Sequence, residues 1–183
     1  MYNNNEELSV YIGDKEISAV YCGDKEIWTR VIPDIIAFSA NITAVVSGTY
    51  CYGFKETSKT IDNELLSQVT APITNYTAGT SNPKVATKTA RAYTPTTLAL
   101  QKYKYAIVTV LNTCRTDVGS QYATIGGKSL PNRAADDGCN TTTLKFALNS
   151  TIDIVSHVDN QSSYSGYLSV ANVAISKIVL TNS

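Results

Sequence analysis

The sequence predicts an all-β protein, with a short N-terminal β-meander followed by an antiparallel β-sandwich or jelly-roll-like domain. Three observations carry that prediction. A Tyr-x-Gly-Asp-Lys-Glu-Ile unit occurs at residues 11–17 and again at 21–27, identical at six of seven positions. Downstream, short runs rich in Thr, Val, Ile and Tyr are punctuated by Gly, Asn, Asp and Pro, the spacing of a two-sheet protein. Helical periodicity is weak everywhere except one polar stretch.

Each copy of the repeat reads as a turn followed by the start of a strand. Gly13 and Gly23 can take positive φ without steric cost, and the Asp that follows can bond its own backbone. The segment then predicts three strands, near Leu8–Ile12, Lys15–Cys22 and Lys25–Val31. With even-length loops, one face carries Leu8, Val10, Ile12, Ile17, Ala19, Tyr21 and Trp28, and the other Tyr11, Val20, Cys22, Ile27 and Val31. Both faces are substantially apolar. So small a meander cannot cover both: one face is expected to meet the rest of the chain and the other a partner or sister subunit, and membership of the meander in the main sheet core is the equal alternative. Tyr11, Ile17, Tyr21, Ile27 and Trp28 are the candidate docking and oligomerisation residues.

Pro33 lacks an amide donor and pushes Ile32 toward an extended conformation, which sets the expected boundary between a docking module at 1–32 and a sandwich domain at 33–183. Ile35–Val46 and Thr49–Phe54 are expected strands around a Ser47-Gly48 turn. Lys55–Gln68 is the one plausible helix, with Ile61, Leu65 and Leu66 as a thin apolar stripe, and it reads equally well as loop. Lys84–Tyr93 and Lys102–Leu111 follow as strands, the second with Tyr103, Tyr105, Ile107, Thr109 and Leu111 on one face. Gln121–Ile125 and Lys128–Leu130 flank Gly126-Gly127 and predict a hairpin. Leu144, Phe146 and Leu148 alternate with polar or small residues, as do Ile152, Ile154 and Val158, and matching their apolar faces in one hairpin requires an odd loop through Asn149–Thr151. Tyr167–Leu180 completes the fold.

Composition narrows function by exclusion. Lys plus Arg and Asp plus Glu number 15 each, so no net field concentrates nucleic acid or an anionic membrane, and neither is an expected partner. Charged residues are 16% and apolar residues 43%; the remaining polarity comes from Thr, Ser and Asn. Twelve Tyr against three Phe and one Trp suit half-exposed sheet faces and interfaces. The Met1–Glu7 segment has neither the basic nor the apolar part of a signal peptide, so synthesis in the cytoplasm is expected. Cys22, Cys51, Cys114 and Cys139 form no Cys-x-x-Cys pair and are expected to be reduced, with a Cys114–Cys139 bridge left open.

Catalytic machinery is not expected. His157 is the sole histidine, no nucleophile sits in a Gly-x-Ser-x-Gly turn, and nucleotide-binding glycine loops are missing. Asp117 and Asp136-Asp137-Gly138, together with the Asp159–Gly166 loop, offer oxygen ligands that could hold Ca²⁺ or form a glycosidase pair, but solvated loop acids explain them as well. No metal or cofactor is assigned. Tyr164 and Tyr167, among Ser and Gln neighbours, are the candidate ligand-binding residues, suited to a cell-surface glycan or a protein surface.

The stretch Tyr11–Trp28, with its repeated Gly-Asp-Lys turn among Ile, Tyr and Trp, resembles short N-terminal modules of tailed-bacteriophage virion proteins, particularly fibre-like and decoration proteins. The resemblance covers about 30 residues. It implies a non-enzymatic structural protein of the virion, docked on capsid or tail proteins through its N-terminal segment, with a β-rich domain projecting outward, often as a trimer.

Overall fold

A computed structural model describes residues 10–12, 15–17, 19–29, 32–47, 50–62, 64–65, 74–78, 84–93, 102–116, 120–131, 139–148, 150–160 and 169–183. Every element among them is a β-strand and every pairing is antiparallel. The chain divides into two compact units, Met1–Pro33 and Asp34–Ser183.

The first unit contains β1 (Val10–Ile12), β2 (Lys15–Ile17), β3 (Ala19–Cys22) and β4 (Lys25–Thr29). These do not form the expected three-stranded meander. Among the described residues β1 pairs only with β2 and β3 only with β4, so the stretch expected as a single strand from Lys15 to Cys22 supplies one strand to each of two hairpins. The facing also changes. A register shift between Val20 and Tyr21 sets Val20 opposite Trp28 while Tyr21 stays opposite Glu26, leaving Ile27 as the extra residue of a bulge. Position 28 therefore shares a face with Val20 rather than with Tyr21. Even-length loops alone could not predict this, because a bulge inverts facing beyond it just as an odd loop does.

The second unit contains β5 (Ile35–Ser47), β6 (Tyr50–Ile61), β7 (Thr74–Ala78), β8 (Lys84–Tyr93), β9 (Tyr105–Thr116), β10 (Ser120–Ile125), β11 (Lys128–Ser129), β12 (Asn140–Ala147), β13 (Thr151–Asn160) and β14 (Ser169–Thr181). One sheet has the order β11-β10-β13-β8. The other runs β12-β9-β14-β5-β6, with β7 also paired to β14. Ala123, Ile125, Ile152 and Ile154 of the first and Ala106, Val108, Val110, Ile175 and Ile178 of the second are all buried. Strands β10 and β13 of the first sheet lie close to β14 of the second, and β10 also to β9. Full burial of each large aliphatic side chain contributes about 1.5–3 kcal/mol before entropy is counted.

Gly126 and Gly127 take φ of 54° and 73° and join β10 to β11 as a two-residue hairpin turn. The turn also ties the sheets together, because a Cβ on Gly126 would strike the ring of Phe146 on β12. On the same margin Lys128 Nζ lies 5.0 Å from the Phe146 ring centre and donates to the Lys145 carbonyl at 3.2 Å.

Two expectations for this unit are corrected. Residues 55–61 belong to strand β6, not to a helix. β6 lies at the edge of its sheet, and Lys55, Thr57 and Lys59 are exposed there, so no alternating apolar pattern marks it and its lysines discourage pairing with another edge. On β9, Tyr105, Ile107, Thr109 and Leu111 do share one face, half-buried, and the core face is the opposite one, formed by Ala106, Val108 and Val110. Finally, β12 and β13 are not a hairpin. β12 pairs with β9 and β13 with β10 and β8, so the chain crosses from one sheet to the other between residues 147 and 151. The odd length inferred from facing reflects that crossing.

Candidate functional site

In the N-terminal unit, tight turns on short strands leave little surface to bury. The hairpin of β3 and β4 is closed by Gly23, at φ +64°, and Asp24. Ile12 is 71% exposed and Tyr21 58%. Ile17, Ala19 and Val20 are half-buried, and no side chain described in this unit is fully buried. Tyr21 donates its hydroxyl hydrogen to Glu26 Oε2 at 3.1 Å. That hydrogen bond and the carboxylate charge hold the phenol proton and raise its pKa above 10.0. Of the five candidate docking residues, Tyr21 is exposed and Ile17 half-buried; Tyr11, Ile27 and Trp28 lie in β1 and β4, with side chains outside those described. Apolar surface on hairpins this small is surface available to a partner.

In the second unit, the outer face of the four-stranded sheet carries an aromatic pair. Tyr122 on β10 is the register partner of His157 on β13. Their rings stack with centroids 4.7 Å apart and planes 18° from parallel, and Tyr122 remains 46% exposed. His157 does lie on the side of β13 away from the core, as the polar alternation implied, and is half-buried. Tyr122 was not expected, since only the pairing of β10 with β13 brings it beside His157. A flat, half-open ring with an imidazole beneath it can stack on a sugar or another planar ligand.

A second feature unmarked in the sequence is polar and buried. Asn112 on β9 and Asn140 on β12 are register partners, and their amides both donate to the Pro131 carbonyl, at 2.9 and 3.2 Å. They pin the chain where it leaves β11 on its way to β12. Asn112 Oδ1 is left without a partner in the interior, a deficit of the kind that costs about 1–3 kcal/mol.

The far part of the β5–β6 hairpin carries the unit's third distinctive cluster. β5 pairs with β14 only from Ile35 to Ser39. Beyond that point Cys51 and Phe54 pack on Ala174, with Ile42, Leu111 and Cys139 around them. Ala174 and Leu111 are register partners on β14 and β9, so the hairpin lies across the face of these strands that is turned away from the four-stranded sheet. Burial raises the Cys51 thiol pKa, with a weaker lowering by a backbone hydrogen bond at Gly53 and a further small raising by Cys139. Cys51 and Cys139 are free thiols; a Cys114–Cys139 bridge is therefore not formed.

Among the described residues no group of three or more His, Cys, Asp or Glu could hold a metal ion, and no helix is long and apolar enough to cross a membrane. Asp117, Asp136, Asp137, Tyr164 and Tyr167 lie outside the described residues. No protein-family model and no curated protein matches the chain.

Proposed function

We propose that this chain is a structural component of a tailed-phage virion, a head-fibre, decoration or tail-associated protein that attaches through residues 1–32 and projects its two-sheet unit as a sandwich-like body. One observation carries the reading. Among the described residues the N-terminal unit forms two minimal hairpins with exposed Ile12 and Tyr21, whereas Asp34–Ser183 buries a core of its own. A segment that cannot satisfy its apolar surface, joined to a unit that can, suits an attachment module and its cargo. The partner is a capsid or tail protein, assembly as a homotrimer is the favoured state, and no reaction is involved. Removing residues 1–32 is expected to leave a folded protein that no longer joins the particle; normal incorporation of the truncated protein overturns the proposal.

A second reading, a receptor- or glycan-binding module, draws support from the half-exposed Tyr122 ring stacked on His157. It predicts glycan-array binding that is lost with Tyr122→Ala. Binding that survives this change and disappears with Tyr164→Ala would move the site to the 161–168 loop, and a blank array would count against the reading altogether.

A further inference from the structure

Cys51 lies on β6 near the end of the β5–β6 hairpin, and Cys139 immediately precedes β12. Chain order separates them widely, yet both belong to the cluster built on Phe54, Leu111 and Ala174. Both are free; Cys51 is buried and Cys139 partly exposed. We propose that Cys51 and Cys139 form an oxidisable dithiol, whose disulfide clasps the β5–β6 hairpin to the start of β12 across the outer face of β9 and β14. The hairpin's need for such a clasp follows from its pairing. Past Ser39 its printed register with β14 ends, and Cys51 and Phe54 pack there on Ala174.

The oxidant is a low-molecular-mass disulfide such as oxidised glutathione. The accessible Cys139 thiolate attacks one sulfur of that disulfide, forming a mixed disulfide and releasing one glutathione thiolate. Cys51, after losing its proton to solvent base, attacks the Cys139 sulfur and expels the second. Two protein thiols are oxidised to one disulfide and one glutathione disulfide is reduced to two thiols, so electrons balance. Cys51 carries its proton to higher pH than an ordinary thiol because it is desolvated. The closing step is therefore slow near neutrality and accelerates as pH rises.

Mass spectrometry of the full chain tests this, because trypsin separates all four cysteines, into peptides 16–25, 31–55, 105–115 and 134–145. After incubation with millimolar oxidised glutathione, the expected product has lost two hydrogens and yields peptide 31–55 linked to 134–145. Its thermal midpoint is expected to rise by roughly 10 °C over the reduced protein, as a bridge closing a long loop does. Cys139→Ser is expected to abolish closure while keeping the reduced protein's midpoint, which separates lost chemistry from lost folding. A stable glutathione adduct on Cys139 without closure at alkaline pH overturns the proposal. So does a link from peptide 134–145 to 105–115 or 16–25, or closure that persists in Cys139→Ser.

Discussion

The two units of this chain use the same hydrogen-bonding pattern to different effect. In Met1–Pro33 the strands are three to five residues long and pair only in twos, and no described side chain is fully buried. In Asp34–Ser183, β5 and β14 are 13 residues long, β14 has strands on both sides, and Phe38, Val108, Ile154 and Ile178 are wholly withdrawn from water. Backbone pairing is available to both, so it cannot explain the contrast. What separates them among the described residues is burial: a sheet gains most of its stability by covering one face, and only the second unit has fully buried side chains described.

If that is the right account, substitutions should act very unequally in the two units. Phe38→Ala removes a fully buried ring and is expected to cost about 3–5 kcal/mol in urea unfolding. Ile12→Ala, at an exposed position, should leave the same midpoint unchanged within about 0.5 kcal/mol. Comparable losses from the two would mean that the N-terminal hairpins share the main core.

The glycine turns give a finer version of the comparison. Gly126 and Gly23 both have positive φ, but only Gly126 faces a neighbouring ring. Gly126→Ala is expected to destabilise the protein by roughly 2–3 kcal/mol, combining backbone strain with displacement of Phe146. Gly23→Ala meets open space and should loosen its own hairpin, seen as faster amide exchange around residues 20–28, without moving the main transition.

Smaller effects come from ionisable groups. The folded state holds the Cys51 proton at pH values where the unfolded chain has released it, since burial raises this pKa above 9.0. That contribution to stability is complete below the ordinary thiol range and is lost as pH climbs through the raised value. Reduced protein should therefore become less stable on the alkaline side, and Cys51→Ala should flatten that limb. The smallest change is expected from Glu26→Gln, which removes the charge that holds the Tyr21 phenol proton. Tyrosinate absorbance should then show Tyr21 titrating at lower pH, with unfolding unaffected.

What could be read from residues alone follows the same physics. Strand β8 and the hairpin at Gly126-Gly127 were legible because alternation and turn chemistry are local. β6 was not, since an edge strand with lysines outward has no apolar period, and Ile61, Leu65 and Leu66 mimicked a helical stripe. The split of the N-terminal strands and the crossing from β12 to β13 depend on partner choice, which facing constrains but does not determine. At the candidate sites, exposure of Tyr21 accords with its place on a two-faced hairpin. Tyr122 with His157, the Asn112–Asn140 clasp on Pro131 and the Cys51–Cys139 cluster each join segments distant in the chain, and no spacing in the sequence signals them.

Strand β14 pairs with β5, β7 and β9, all of which precede it in the chain. During synthesis those three must leave the ribosome with an unpaired edge each and wait. The central plank arrives after everything that leans on it, so closure of this unit is a late event and its slowest contacts are its longest-range ones. Nascent chains of such a protein are at their most adhesive just before β14 emerges, when neighbouring copies on one message can exchange edges instead of completing their own.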